Sequence, residues 1–139
     1  MFLAIFAIAE RLRSAPHFQS WSVRDGLTVQ SRQEIDGAID VRFADGMVSN
    51  GGNSSVTVSP LVSITLIARR SDEAPALLDK AFCELIGSLQ GWQVKDASGA
   101  AWSWMRLERV REIAPQDAVV GCEFLFSFGR SFDGQQCDC

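Results

Sequence analysis

Few residues in this 139-residue chain could do chemistry, and their spacing decides how little. His17 is the only histidine, and it stands beside Pro16. As a general base or metal ligand it would need a neighbouring nucleophile or further donors, and the sequence sets none at a recognised spacing. Cys137-Asp138-Cys139 could contribute one half of a metal site, but no second Cys or His pair completes it. Asp36, Asp40 and Asp45 form an acidic group on paper; as outward residues of a strand and its turn they read as solvated charge. Gly51-Gly52 lacks the Gly-Lys-Ser/Thr ending of a phosphate-binding loop, and the serines around it lack a Gly-x-Ser-x-Gly elbow. The sequence therefore predicts no enzyme, no cofactor and no metal.

One charged stretch is distinctive. Arg106, Glu108, Arg109, Arg111 and Glu112 alternate along a predicted strand. A nucleic-acid stripe would not interleave glutamates, so the pattern reads as an ion-pair ladder, solvated or between subunits. Such a ladder selects a partner and its register more than it adds affinity. The balance of 13 Lys and Arg against 17 Asp and Glu also argues against nucleic acid or an anionic membrane as main partner. Trp102 and Trp104 share one strand face, either as core or as an aromatic interface patch.

The elements that must carry these residues follow from periodicity. From Val56 to Arg70, Val56, Val58, Val62, Ile64, Leu66 and Ala68 alternate with Thr57, Ser59, Ser63, Thr65 and Arg69. Period two marks a strand with one buried face. At ~3.3 Å per residue it would reach roughly 50 Å, far beyond an ordinary strand. Such a strand either bends or outgrows its domain and offers backbone to a neighbour. Val56, Val58 and Arg69 on it, with the charged residues of 106–112, are the candidate interface. Ala38–Phe43 also alternates, Asp45-Gly46 could bend it, and Ser49–Ser55 is dense in turn formers. The two strands thus predict a long hairpin with a mobile tip. Pro60 must sit at an edge or bulge.

Met1–Arg13 predicts an amphipathic helix with Phe2, Ile5, Phe6, Ala9 and Leu12 on one face, stopped at Ser14-Ala15-Pro16. Asp72 as N-cap, the stripe Ala74, Leu77, Leu78, Ala81, Phe82, Leu85, Ile86, Leu89 and the stop Gly91 predict a second helix over about Glu73–Gln90. Short strands are expected at Trp21–Arg24 and Trp92–Val94, and Leu27–Ile35 reads as strand or loop. Longer strands are expected at Trp102–Ile113 and Ala118–Phe128, the last with Val120, Cys122, Phe124, Phe126 and Phe128 inward. Cys83 and Cys122 read as buried free thiols. Residues 131–139 read as a polar tail after a single 1–130 domain. Met1–Ala9 lacks the basic start of a signal peptide, and no segment reaches the ~20 apolar residues that span a bilayer. The expectation is a cytoplasmic α+β chain: a largely antiparallel sheet of four to five strands, with a long hairpin and two flanking helices.

This order of elements resembles a known family. The opening Ala7-Ile8-Ala9-Glu10-Arg11-Leu12, the strand Val62–Arg69, the helix holding Ala81 to Leu89 and the strand Val120–Phe126 are similar to the tail terminator (tail completion) proteins of long-tailed bacteriophages, Mu-like prophages above all. The resemblance spans residues 1 to about 130 and has no signature motif. It implies a small α+β virion protein that caps the tail tube as a homo-oligomeric, hexameric ring. The implied partners are the tail tube protein and the head-tail connector. The implied location is the virion tail, and the host cytoplasm during assembly. It carries over no catalytic residue. Another neck or connector protein, or a small monomeric binding module, would fit the same pattern.

Overall fold

A computed structural model of the chain describes residues 1–27, 37–52, 54–99, 101–114 and 118–133. The first helix, α1, runs Phe2–Ser14 and buries Ala4, Ile5, Ile8, Ala9 and Leu12. Phe2, expected inside, is 59% exposed, and Phe6 is half-buried. The apolar arc of α1 is wider than the sheet can cover. The packed stripe is therefore turned by roughly 60°, at ~100° per residue, from the one the phenylalanines suggest. Ala15, in extended conformation before Pro16, ends the helix.

The strands are β1 (Trp21–Arg24), β2 (Gly37–Gly51), β3 (Ser55–Arg69), β4 (Gln93–Lys95), β5 (Ala101–Trp104), β6 (Arg106–Glu112), β7 (Val119–Ser127) and β8 (Arg130–Asp133). The second helix, α2 (Ala74–Leu89), joins β3 to β4. One six-stranded sheet has the order β1-β2-β3-β7-β6, with β8 also paired to β3; β4 and β5 form a separate hairpin. Only β1 with β2 is parallel. The fold is thus α+β with a mostly antiparallel sheet and two helices.

The predicted long hairpin is β2 with β3, paired from Gly37↔Ala68 to Gly51↔Ser55. An irregularity between Phe43 and Asp45 inserts Ala44 as an extra residue, close to where Asp45-Gly46 suggested a bend. β3 is flanked on both sides, by β2 and by β7 followed by β8. β7 pairing ends at Leu61 and β8 pairing starts at Val58, so Ser59 and Pro60 stand in the gap between them. A strand residue in such a gap needs no N–H on that side, which is where a proline is tolerated.

The helices cover one face of the sheet. Ile39, Val41, Val62, Ile64, Leu66, Phe124 and Phe126 meet Ile5, Ile8, Leu12, Leu85 and Leu89 in one buried cluster. Each fully buried Leu, Ile or Phe there contributes roughly 1.5–3 kcal/mol. Val120 and Cys122 are only half-buried at the far end of that row.

Other expectations need correcting. Cys83 is exposed. It lies two residues from Leu85, about 200° round the helix, so the packed stripe leaves it outside. No side chain caps α2; its N-cap residue is Glu73, and Pro75 occupies the first turn. Trp102–Ile113 is two strands broken at Met105, because the chain leaves the β4–β5 hairpin there to join the main sheet. The expected tail begins with a strand: Ser131–Asp133 pair with β3 through Thr57, Val56 and Ser55. The expectations for Asp36, Cys137, Cys139 and most of Leu27–Ile35 lie outside the described residues.

Candidate assembly interface

Residues on the two sides of the sheet follow from register. Val62↔Phe126 and Leu107↔Phe126 belong to the helix-covered side, together with Phe43↔Val62. The opposite side carries Asp45↔Leu61, Leu61↔Ser127 and Arg106↔Ser127 in one cross-strand row. The next rows hold Ser63, Leu125 and Arg109, and then Asp40, Thr65, Glu123 and Arg111. This open side is where the charge is concentrated.

Among the described residues, ion pairs on that side include Arg24–Asp40 and Arg111–Glu123. Arg24 Nε and a second guanidinium nitrogen meet the two carboxylate oxygens of Asp40 at 2.7 and 2.9 Å. Arg111 Nε lies 2.7 Å from Glu123 Oε1, while Ser63 Oγ donates to Glu123 Oε2 at 2.7 Å. Asp40 is thereby a structural partner for Arg24. At exposed sites such pairs contribute ~0–1 kcal/mol each.

The predicted interface residues divide into three groups. Val56 and Val58 are half-buried inside the arm, with β2 on one flank and β8 on the other. Their backbone is already paired; among the described strands of the arm, the unpaired outer edges belong to β2 and β8. Arg69 ends β3 opposite Val119 and is exposed. The ladder on β6 is satisfied mostly within the subunit. Arg106 Nε donates to Glu108 Oε1 at 2.9 Å, and Ser127 Oγ donates to the same oxygen at 2.6 Å. Those bonds, Ser127 first and Arg106 second, hold the Glu108 carboxyl below its ordinary pKa. Arg111 is committed to Glu123, Glu112 is exposed, and Arg109 is exposed with no ion pair to any described residue.

The sequence reading missed the apolar arm. Beyond Asp40, where pairing with β1 ends, no described strand lies along the outer edge of β2. Phe43 (41%), Met47 (70%) and Val48 (63%) are exposed there. The signal was present: two consecutive apolar residues, Met47-Val48, break the alternation and force one outward on either side. The tryptophans also part company. Trp102 is buried, edge-on to Phe128 and Phe132 at 5.2 and 5.9 Å. Trp104, on the same face by alternation, is 67% exposed.

Open grooves accompany this surface, with no converging catalytic set among the described residues. One, of about 600 Å³, lies between α1 and the end of α2; there Arg11 stacks over Trp92 at 4.7 Å and its Nε donates to the Ser88 carbonyl. Another, of about 430 Å³, is lined by Trp104, Arg106 and the hydroxyls of Thr57, Ser59, Ser103 and Ser127. Thr57 bonds Ser131, Ser103 accepts from the Gly129 N–H, and Ser127 donates to Glu108, so those three hydroxyls are engaged within the fold. No described group of three or more His, Cys, Asp and Glu could hold a metal. Among the described residues, no helix is long and apolar enough to cross a membrane.

The geometry defines a fold class: a mostly antiparallel sheet with helices on one face and an arm formed by β2, β3 and β8. No family model matches the sequence, and no curated protein is recognisably similar to it. Solved structures do match. A chain in the structure of the virion of a native gene transfer agent particle superposes with a TM-score of 0.74. The match covers 92% of this chain and 94% of that one at 13% identity. At that identity the likeness is one of fold, and it runs nearly end to end in both chains.

Proposed function

We propose that this protein is a structural component of a phage-like virion: a tail terminator subunit that closes into a ring on the tail tube and presents a surface to the head connector. The observation that carries the reading is the near-complete mutual coverage with a chain of a gene transfer agent virion. A ring is a head-to-tail assembly that needs two different complementary surfaces on each subunit. The apolar β2 arm and the charged β6 edge supply two such surfaces. Capping makes no covalent bond, which agrees with hydroxyls and carboxylates that are engaged in structural hydrogen bonds.

Sedimentation over a range of concentrations, with and without purified tail tubes, tests the proposal. The expected result is a species near six times the 15.2 kDa subunit mass, formed free or on tube ends, and located there by electron microscopy. A protein that stays monomeric and ignores tube ends refutes it. Binding to the connector side alone would favour a different neck component.

A further inference from the structure

We propose that neighbouring copies join edge to edge: the outer edge of the β2 arm, Asp45–Gly51, pairs as a strand with the outer edge of β6 in the next copy. The inference rests on the ring reading only in requiring copies to meet.

Four observations point to it. First, no described strand pairs either edge; the Leu107 N–H of β6 donates to Gln90 Oε1 and the Gly46 N–H of the arm to Asp45 Oδ1, both at 2.8 Å, and the remaining backbone of each edge has no described strand beside it. Second, the two edges differ in protection. β6 is guarded by charged side chains and an irregularity at Leu107/Arg109. The arm beyond its own irregularity at Phe43/Asp45 has neither Lys nor Pro, and it exposes Met47 and Val48. Natural proteins rarely leave such an edge open unless something pairs with it. Third, the side chains sort by face. On the helix-covered side the arm offers Val48 and β6 offers Leu107 and Val110, the latter 41% exposed. On the open side the arm offers Asp45 and Met47, and β6 offers Arg106 and Arg109. Fourth, the charges left over are complementary. Among the described residues the Asp45 carboxylate makes no ion pair and accepts only from the Gly46 N–H, at 2.8 Å. Arg109 has no such partner either, whereas Arg106 and Arg111 are both paired within the subunit.

Because the two edges are unlike, the contact is heterologous and uses one arm and one β6 per subunit. It can therefore close a ring or extend a row, but it does not pair the same patch on two copies. A sheet continued in this way keeps each subunit's helices on the same side.

The test compares wild type with Asp45→Arg, Arg109→Asp, the double reversal and Val48→Lys, by sedimentation and by amide hydrogen exchange. Circular dichroism first checks that each variant folds; Val48 and Arg109 are both exposed, so their substitution leaves the subunit intact. Each single reversal and Val48→Lys should raise the concentration for half-assembly roughly tenfold or more. The double reversal should recover most of that loss. Assembly of wild type should protect amides in 45–51 and 106–112. Variants that assemble as wild type does, with no new protection in either strand, overturn edge pairing while leaving the cap reading intact. A wild type that stays monomeric both free and with tail tubes removes both.

Discussion

Gly121 offers a sharp trial of the physical reasoning, because one substitution made at two places should have opposite signs. Gly121 sits in β7 opposite Ile67, and its backbone also accepts from the Ile113 N–H at 3.1 Å. A Cβ built on it would lie 1.8 Å from the carbonyl oxygen of Leu66. That neighbour is backbone in the central strand and cannot swing away, so β7 must move off β3 by roughly 1 Å. Overpacking of this kind costs ~1–3 kcal/mol. Weakening two ladder bonds beside it adds roughly 1 kcal/mol each at most. Gly121→Ala should therefore destabilise the protein by about 3 kcal/mol. Gly87 lies in the interior of α2, where an added Cβ meets nothing within 4 Å. Gly87→Ala should stabilise by ~0.5–1 kcal/mol, through helix propensity alone. Urea unfolding followed by circular dichroism reads both. With an m-value of ~2 kcal/mol/M, the midpoint should fall by roughly 1.5 M for the first variant and rise by about 0.3–0.5 M for the second. A Gly121→Ala protein within about 0.5 kcal/mol of wild type would refute the close approach of β7 to β3, and with it the placement of β6 at the sheet edge.

Two further outcomes are expected. Asp25 is buried and binds the Arg13 guanidinium at 3.1 Å and the Leu27 N–H at 2.8 Å, while Arg13 also reaches the Val23 carbonyl; Asp25→Ala should cost ~2–3 kcal/mol in the same urea assay, less than a fully buried pair because Arg13 is partly exposed. Burial raises the Cys122 pKa above its ordinary value, so its thiolate fraction at a given pH is smaller; peptide mapping after alkylation at pH 8 should find exposed Cys83 modified well before Cys122, the gap narrowing as pH rises. Equal rates at both thiols would contradict the placement of Cys122 against the core.

Periodicity is local, and so its products were legible in the sequence. Alternation from Val56 to Arg70 gave β3 at Ser55–Arg69, and the heptad-like stripe gave α2 at Ala74–Leu89, each within a residue or two. The row Phe124, Phe126 and Phe128 is buried as its spacing required. The outward position of Cys83 was also there to be read, from its angle to Leu85. Backbone sterics and the pitch of each element act within a few residues, so the chain's order of side chains is enough to state them.

Pairing and coverage are not local, and tertiary structure alone decided them. Ser131–Asp133 carry no strong strand pattern, yet β3 extends past β7 and offers them a ladder. Trp102 and Trp104 are equivalent by alternation; one is buried and the other exposed because Phe128 and Phe132 cover only the first. The apolar arc of α1 fits two orientations, and contact with the sheet selects one. The open edge itself was misplaced by the sequence reading for the same reason. Overlength in β3 was visible, but β2, β7 and β8 occupy both its flanks, so among the described strands the unpaired backbone lies on β2, β6 and β8 instead. Which backbone remains unsatisfied depends on which strands arrive beside it, and those come from residues far apart in the chain.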